Sequence, residues 1–285
     1  TEFSANQADS LGGVLSSSNT MISRNKTVDE RRKMAIYNEK THRRIEAKNT
    51  EARSLQSNKT TRELRDDTSY ELSGCRFEGN SALYGGVVGL DGVGIFNVHT
   101  SFFSDNEADK GAAVYLNYIG EYLSENNYSN IYSSLFHHNT ANEEGIIYTQ
   151  NYSSWIENCT VADNDGTAVV AYLKQFAETA NLYTVFDSSI LWNNLLDNVP
   201  SNIILNYDPG CSCEYDAYFF YNFIEDQENS IQLLENESNF SVISYDSFDI
   251  DPLFVGSGDH PYQLSAWSKC INEMNTGLRE DNTNQ

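Results

Sequence analysis

Residues 75–88 read Cys-Arg-Phe-Glu-Gly-Asn-Ser-Ala-Leu-Tyr-Gly-Gly-Val-Val, and residues 101–114 read Ser-Phe-Phe-Ser-Asp-Asn-Glu-Ala-Asp-Lys-Gly-Ala-Ala-Val. At an offset of 26, Phe77 falls on Phe103, Asn80 on Asn106, Ala82 on Ala108, Gly85 on Gly111 and Val88 on Val114. A third copy has Phe136, Asn139, Ala141, Gly145 and Ile147, with one extra residue before the glycine. A fourth runs Cys159, Val161, Asn164, Gly166, Val169, and a fifth is Ser189, Leu191, Asn194. Phe3, Asn6, Ala8, Gly12, Gly13 and Val14 form one more copy at the start. From Asn80 onward the Asn-to-Asn spacings are 26, 33, 25 and 30.

Repeats of this length with Gly and Asn turns, and no sustained 3.6 period, exclude the helical arrays and fit a parallel β-solenoid. Cys75/Phe77 and Val88/Leu90 show the strand period of two. Each copy makes one coil, and neighbouring coils pair as parallel strands about 4.8 Å apart. The Phe of each first strand is expected to stack in the core. Asn6, Asn80, Asn106, Asn139, Asn164 and Asn194 are expected to form an inward or corner ladder, where stacked amides bond along the axis. The Gly or Gly-Gly pair supplies the next tight corner.

The same residues resemble a known repeat. Phe77-x-x-Asn80 with Gly85-Gly86-Val87-Val88, and its counterparts at Phe3, Phe103 and Phe136, are similar to the repeats of chlamydial polymorphic outer-membrane proteins. Asp249-Ile-Asp251-Pro252-Leu253-Phe254-Val255, Tyr262-Gln-Leu264 and Ser268-Lys-Cys270-Ile271-Asn272 look like the closing coils of secreted right-handed parallel β-helix proteins. The resemblance covers residues 1–20 and roughly 70–275. It implies a fold and no particular activity, because one fold hosts many functions. The expected fold is therefore all-β, a right-handed parallel β-helix with an inserted, largely helical basic arm. Its parts are a first coil at 1–20, the arm at 21–68 and the remaining β-helix at 69–285.

The arm is marked by charge. Residues 1–66 hold 13 basic and 9 acidic residues, whereas 67–285 hold 5 basic and 32 acidic ones. Val28 to Leu55 is rich in helix formers, nearly free of Gly and Pro, and thin in apolar residues, so such a helix needs a partner surface. Arg31, Arg32, Lys33, Arg43, Arg44, Lys48 and Arg53 suit an acidic solenoid, that of a neighbouring copy or its own. The whole chain carries a net charge of −23, which argues against nucleic acid and against docking on anionic membranes. The longest apolar run, Ala168 to Leu173, is far below the roughly 18 residues of a membrane-spanning helix. The chain starts at Thr1 with no signal peptide, which reads as a processed product or a fragment.

Cys75 and Cys159 hold the same inward position in coils three apart, about 14 Å along the axis and beyond disulfide reach. They read as buried, unpaired and small. A bridge between Cys270 and either Cys211 or Cys213 is expected in an oxidising compartment. Seven Asn-x-Ser/Thr sequons, at Asn25, Asn58, Asn127, Asn151, Asn158, Asn236 and Asn239, are compatible with N-linked glycans on an extracellular surface. Their number is close to what this composition gives by chance.

Catalysis finds little support. Beyond the arm the basic residues are Arg76, Lys110, Lys174, Lys269 and Arg279, and Arg76 and Lys110 hold different positions of the repeat. Clustered Asp with a Gly-His-Gly motif is missing. Asp163-Asn-Asp165-Gly166 and Asp249-Ile-Asp251 are the best carboxylate pairs, but each reads as a turn before a dyad. His99, His137 and His138 share one flank without a triad pattern. No cofactor is expected beyond adventitious calcium. The expectation is a non-catalytic extracellular or cell-surface structural protein, a glycosylated surface or filament subunit. Self-association would run through the uncovered β-helix ends and the basic arm. The alternative is a carbohydrate-binding adhesive module, then a polysaccharide lyase or hydrolase.

Overall fold

A computed structural model describes residues 2–8, 11–18, 37–38, 43–44, 46–48 and 69–273, apart from 93, 119–126, 174–180, 208–213, 235–239, 246 and 259. The chain is an all-β parallel β-solenoid, and its described helices are only the short turns Gln227–Ser230 and Cys270–Glu273. Three sheets enclose one core. The first has seven parallel strands, Glu2–Ser4, Arg76–Glu78, Phe102–Ser104, Leu135–His137, Thr160–Ala162, Ile190–Trp192 and Phe223–Ile224. The second also has seven, Leu15–Ser18, Val88–Asp91, Val114–Asn117, Ile147–Gln150, Val169–Leu173, Ile203–Tyr207 and Ile231–Leu234. The third runs Ser69–Ser73, Ile95–His99, Tyr128–Tyr132, Ser153–Glu157, Asn181–Asp187, Glu214–Phe220 and Phe240–Tyr245.

Strand register follows the sequence repeat. Phe77 pairs with Phe3 on one side and Phe103 on the other, and Phe103 pairs in turn with Phe136. Their rings stack inward with centroids 5.3, 4.9 and 4.6 Å apart, and Val161, Leu191 and Ile224 continue the column. Full burial of Phe77, Phe103 and Phe136 contributes on the order of 1.5–3 kcal/mol each, while Phe3 at the end of the column is partly buried. Flanking residues point outward, because side chains alternate across a strand.

Glycine sets one corner of the coil. Gly85 has φ +67, a left-handed conformation that a Cβ disfavours, and a Cβ on Gly86 would stand 2.2 Å from the Ala112 carbonyl oxygen. Successive coils therefore approach backbone to backbone at this corner.

In sequence, residues 21–68 fall between the strand Leu15–Ser18 of the second sheet and the strand Ser69–Ser73 of the third. The helical expectation is not supported. The described residues here are strand: Tyr37–Asn38 pairs antiparallel with Arg43–Arg44, and Glu46–Lys48 pairs antiparallel with Ser69–Ser73. Helix propensity is a weak preference, and an open edge of the third sheet offers this backbone a full ladder of partners instead. Arg43, Arg44 and Lys48 thus lie in short strands, while Arg31, Arg32, Lys33 and Arg53 lie outside the described residues.

After the last strand of the third sheet the chain turns back along the outside of the first sheet. Phe248, Ile250, Phe254 and Leu264 pack with Cys270 over Ile190, Trp192 and Phe223. This returning segment buries the outward side chains Ile190 and Phe223.

Candidate functional site

The site sits at the corner after the first sheet. The residue before each ladder asparagine takes positive φ: Ala5, Gly79, Asp105, His138, Asp163 and Asn193. That left-handed step turns the chain so that one side chain points out and the next Asn points in, which explains the choice of Gly, Asp and Asn at most of these positions.

Inside, the asparagines form a continuous column. Nδ2 donates to Oδ1 from Asn6 to Asn80 (2.7 Å), Asn80 to Asn106 (2.9 Å), Asn106 to Asn139 (2.9 Å), Asn139 to Asn164 (3.0 Å) and Asn164 to Asn194 (2.7 Å). Asn194 passes the bond on to Asn202, which donates to Ser230. From Asn80 onward each amide also donates to a carbonyl of the preceding coil, such as Asn106 to Phe77 O at 3.2 Å.

A second ladder lies at the opposite corner of the first sheet. The Cys75 amide donates to Ser101 Oγ, the Ser101 amide to Ser134 Oγ, the Cys159 amide to Ser189 Oγ and the Ser189 amide to Asn222 Oδ1. It escaped the sequence reading, although a Ser, Cys or Asn two residues before each inward apolar residue was its signature. Cys159 is a free thiol in this column, and burial pushes its pKa up to about 12. Cys75 is buried in the equivalent place.

Outside, the corner column opens into a groove of about 420 Å³ lined by His138, Asp163, Asn164, Asp165, Asn193, Leu195 and Asn198. Tyr262, from the returning segment, closes its flank. Its hydroxyl donates to Asp163 Oδ2 at 2.8 Å and lies 3.5 Å from His138 Nε2. The Tyr262 ring covers His137 at 4.7 Å between centroids. Asp163 Oδ1 accepts from Asn193 Nδ2 at 2.5 Å, so both carboxylate oxygens are engaged. The Asn193 amide donates to Glu225, whose carboxyl is raised above its ordinary range chiefly by burial. His137 is lowered to about 4, first by burial and then by His138. Sequence could not bring Tyr262 here, because it stands 99 residues from Asp163.

Other named residues fall elsewhere. His99 pairs with Glu71 at 3.1 Å on the third sheet, away from His137 and His138. Asp249 and Asp251 act as turn acceptors for the Asp226 and Leu253 amides. Asn127 and Asn151 are buried, and Asn151 donates to the Tyr118 carbonyl, so a glycan at either position would not fit the folded chain, contrary to expectation. Both lie at the rims of strands that pack inward rather than in open loops. Asn158 is exposed at a left-handed corner. Asn25, Asn58, Asn236 and Asn239 lie outside the described residues. Cys270 is a free thiol buried under the returning segment, so the bridge expected for it is not made; Cys211 and Cys213 lie outside the described residues. Its burial against Ile190 and Phe223 gives it the role of a small apolar residue.

Among the described residues no group of three or more His, Cys, Asp or Glu side chains converges as a metal-binding set, and no helix is long and apolar enough to cross a membrane. No family model, curated protein or solved structure matches this chain.

Proposed function

We propose that the chain is a non-catalytic structural module of an extracellular or cell-surface assembly. The supporting observation is the use of its signature residues: each repeat's Phe and Asn turn inward and bind coil to coil. A rod built this way resists axial slippage, because a shifted coil would leave every Asn amide unsatisfied. The likeness to chlamydial outer-membrane repeats stands beside this as a proposal from the Phe-x-x-Asn and Gly-Gly pattern. So does the right-handed sense, which rests on the general preference for right-handed connections between parallel strands.

In this reading the chain self-associates and carries an N-linked glycan at Asn158, and it needs no cofactor. The Glu46–Lys48 strand supports a role for the arm, since it adds itself to a solenoid edge as it would to the edge of a second copy. Electron microscopy of the native material tests the proposal. Filaments or regular surface arrays are expected, loosened by deletion of residues 24–64. Dispersed single particles at every concentration would overturn it.

The groove favours one second reading, a carbohydrate-binding adhesive module. Asp165, Asn193 and Asn198 present acceptors and amides that suit sugar hydroxyls, and the acidic surface disfavours anionic glycans. Binding of neutral oligosaccharides that is lost in Asp165→Ala/Asn198→Ala would favour it over the structural reading.

A further inference from the structure

The outer face of the third sheet carries an ordered row of aromatic rings. Strand pairing sets Tyr128 beside Ser153, Trp155 between Asn130 and Val185, Tyr183 beside Asp216, and Val185 beside Tyr218. One ring therefore stands at each of four successive coils, Tyr128, Trp155, Tyr183 and Tyr218, alternating between two adjacent outward positions of the strand. Each coil rises by about 4.8 Å, so rings on the same position recur at about 9.6 Å. Trp155 and Tyr183 are 37% and 41% exposed, while Val185, between Trp155 and Tyr218, is 5% exposed, so it is the rings that meet solvent. Carboxylates run alongside. Glu157 pairs laterally with Asp187 at the next outward position, and Asp216 accepts from the Tyr218 hydroxyl at 3.2 Å. The strands Tyr128–Tyr132, Ser153–Glu157, Asn181–Asp187 and Glu214–Phe220 contain no Lys, Arg or His. Among the described residues none of these three carboxylates has a cationic partner.

We propose that this face binds an extended β-1,4-linked polysaccharide of amino sugars with free amines, a glucosamine polymer laid along the solenoid axis. The inference goes beyond the structural reading and needs neither self-association nor the corner groove. Three features select the ligand. Aromatic rings in a row offer apolar surface to the faces of pyranose rings, and an ammonium group held against them is attracted by their π-electrons. Spacing is the second feature. The rise of one coil is close to that of one 1,4-linked pyranose, and alternate sugars turn over as alternate rings change position. An extended peptide falls out of step, because its same-face side chains recur at about 6.6–6.8 Å. Charge is the third feature. Glu157, Asp187 and Asp216 suit amines and would repel a uronic-acid chain, and the net charge of −23 draws a polycation from a distance. A neutral glycan would use the rings alone and partly desolvate the carboxylates without giving them a counter-charge.

The test is calorimetric titration of the full chain, made in a host that adds no glycan at Asn158, with a β-1,4-linked glucosamine hexamer. A mildly acidic buffer keeps the sugar amines charged. The hexamer should bind, and its affinity should fall at least about fivefold between about 0.05 M and about 0.5 M salt, because exposed charges are screened. Trp155→Ala and Tyr183→Ala should each weaken binding about tenfold. Glu157→Gln/Asp187→Asn should weaken it about fivefold. Chemical denaturation of each variant checks that the solenoid is intact, which is expected because these side chains point out of the sheet. The N-acetylated hexamer, with the same rings and no charge, should bind at least about fivefold more weakly than the glucosamine hexamer. No binding of the glucosamine hexamer, equal binding of the two hexamers, or unchanged affinity in both ring variants overturns the proposal. Tighter binding of a synthetic peptide of residues 21–45, lost in the same variants, would give the face to the basic arm of a second copy and overturn it as well.

Discussion

Asn106 Nδ2 stands 2.9 Å from Asn139 Oδ1, joining residues 33 positions apart, and both side chains are completely buried. The pair is one rung of a column in which each amide from Asn80 to Asn194 has a donor partner below and an acceptor partner above. Breaking a rung does not simply remove one bond. Asn106→Ala leaves the Asn80 amide and the Phe77 carbonyl without their partners in a dry interior. The variant should be less stable by about 1–3 kcal/mol, read from chemical denaturation.

Gly86→Ala should be worse than its size suggests. The added Cβ meets a backbone oxygen, which cannot rotate away as a flexible side chain would. A loss of about 1–3 kcal/mol is expected, with Gly13→Ala behaving alike because its Cβ would stand 2.1 Å from the Gly86 oxygen.

Cys159 offers the opposite case. Its column uses Ser101, Ser134 and Ser189 for the same rung, so Cys159→Ser should change stability by less than about 1 kcal/mol. The wild-type thiol, with its pKa near 12, should resist alkylation at neutral pH until the chain is unfolded.

Glycan mapping of protein from a secretory host should find Asn158 open to modification and Asn127 and Asn151 empty. Occupancy at Asn127 or Asn151 would mean that the rim strands are not packed as described, since both side chains are buried.

The ladder was legible in sequence because register in a solenoid is written directly: Phe77, Phe103 and Phe136 recur with Asn80, Asn106 and Asn139 at a fixed offset of three. The Ser and Cys ladder follows the same rule, but Ser is so common in this chain that its column does not stand out. The arm was read from helix propensity, which takes no account of an unpaired sheet edge at Ser69–Ser73. The buried sequons looked like loop residues because each stands just outside a strand, Asn127 before Tyr128 and Asn151 after Gln150. The groove was hidden for a different reason. Its corner residues follow the repeat, but Tyr262 arrives through a return path that no periodicity encodes.

The most direct measurement of the central claim, that stacked asparagines hold the coils together, is a double-mutant cycle on Asn106 and Asn139. Asn106→Ala, Asn139→Ala and the pair are each unfolded by denaturant. The rung described here predicts a coupling of about 1 kcal/mol or more, the double variant losing less than the sum of its singles. Strictly additive losses would contradict it, because two side chains that do not touch across the coils have nothing to couple.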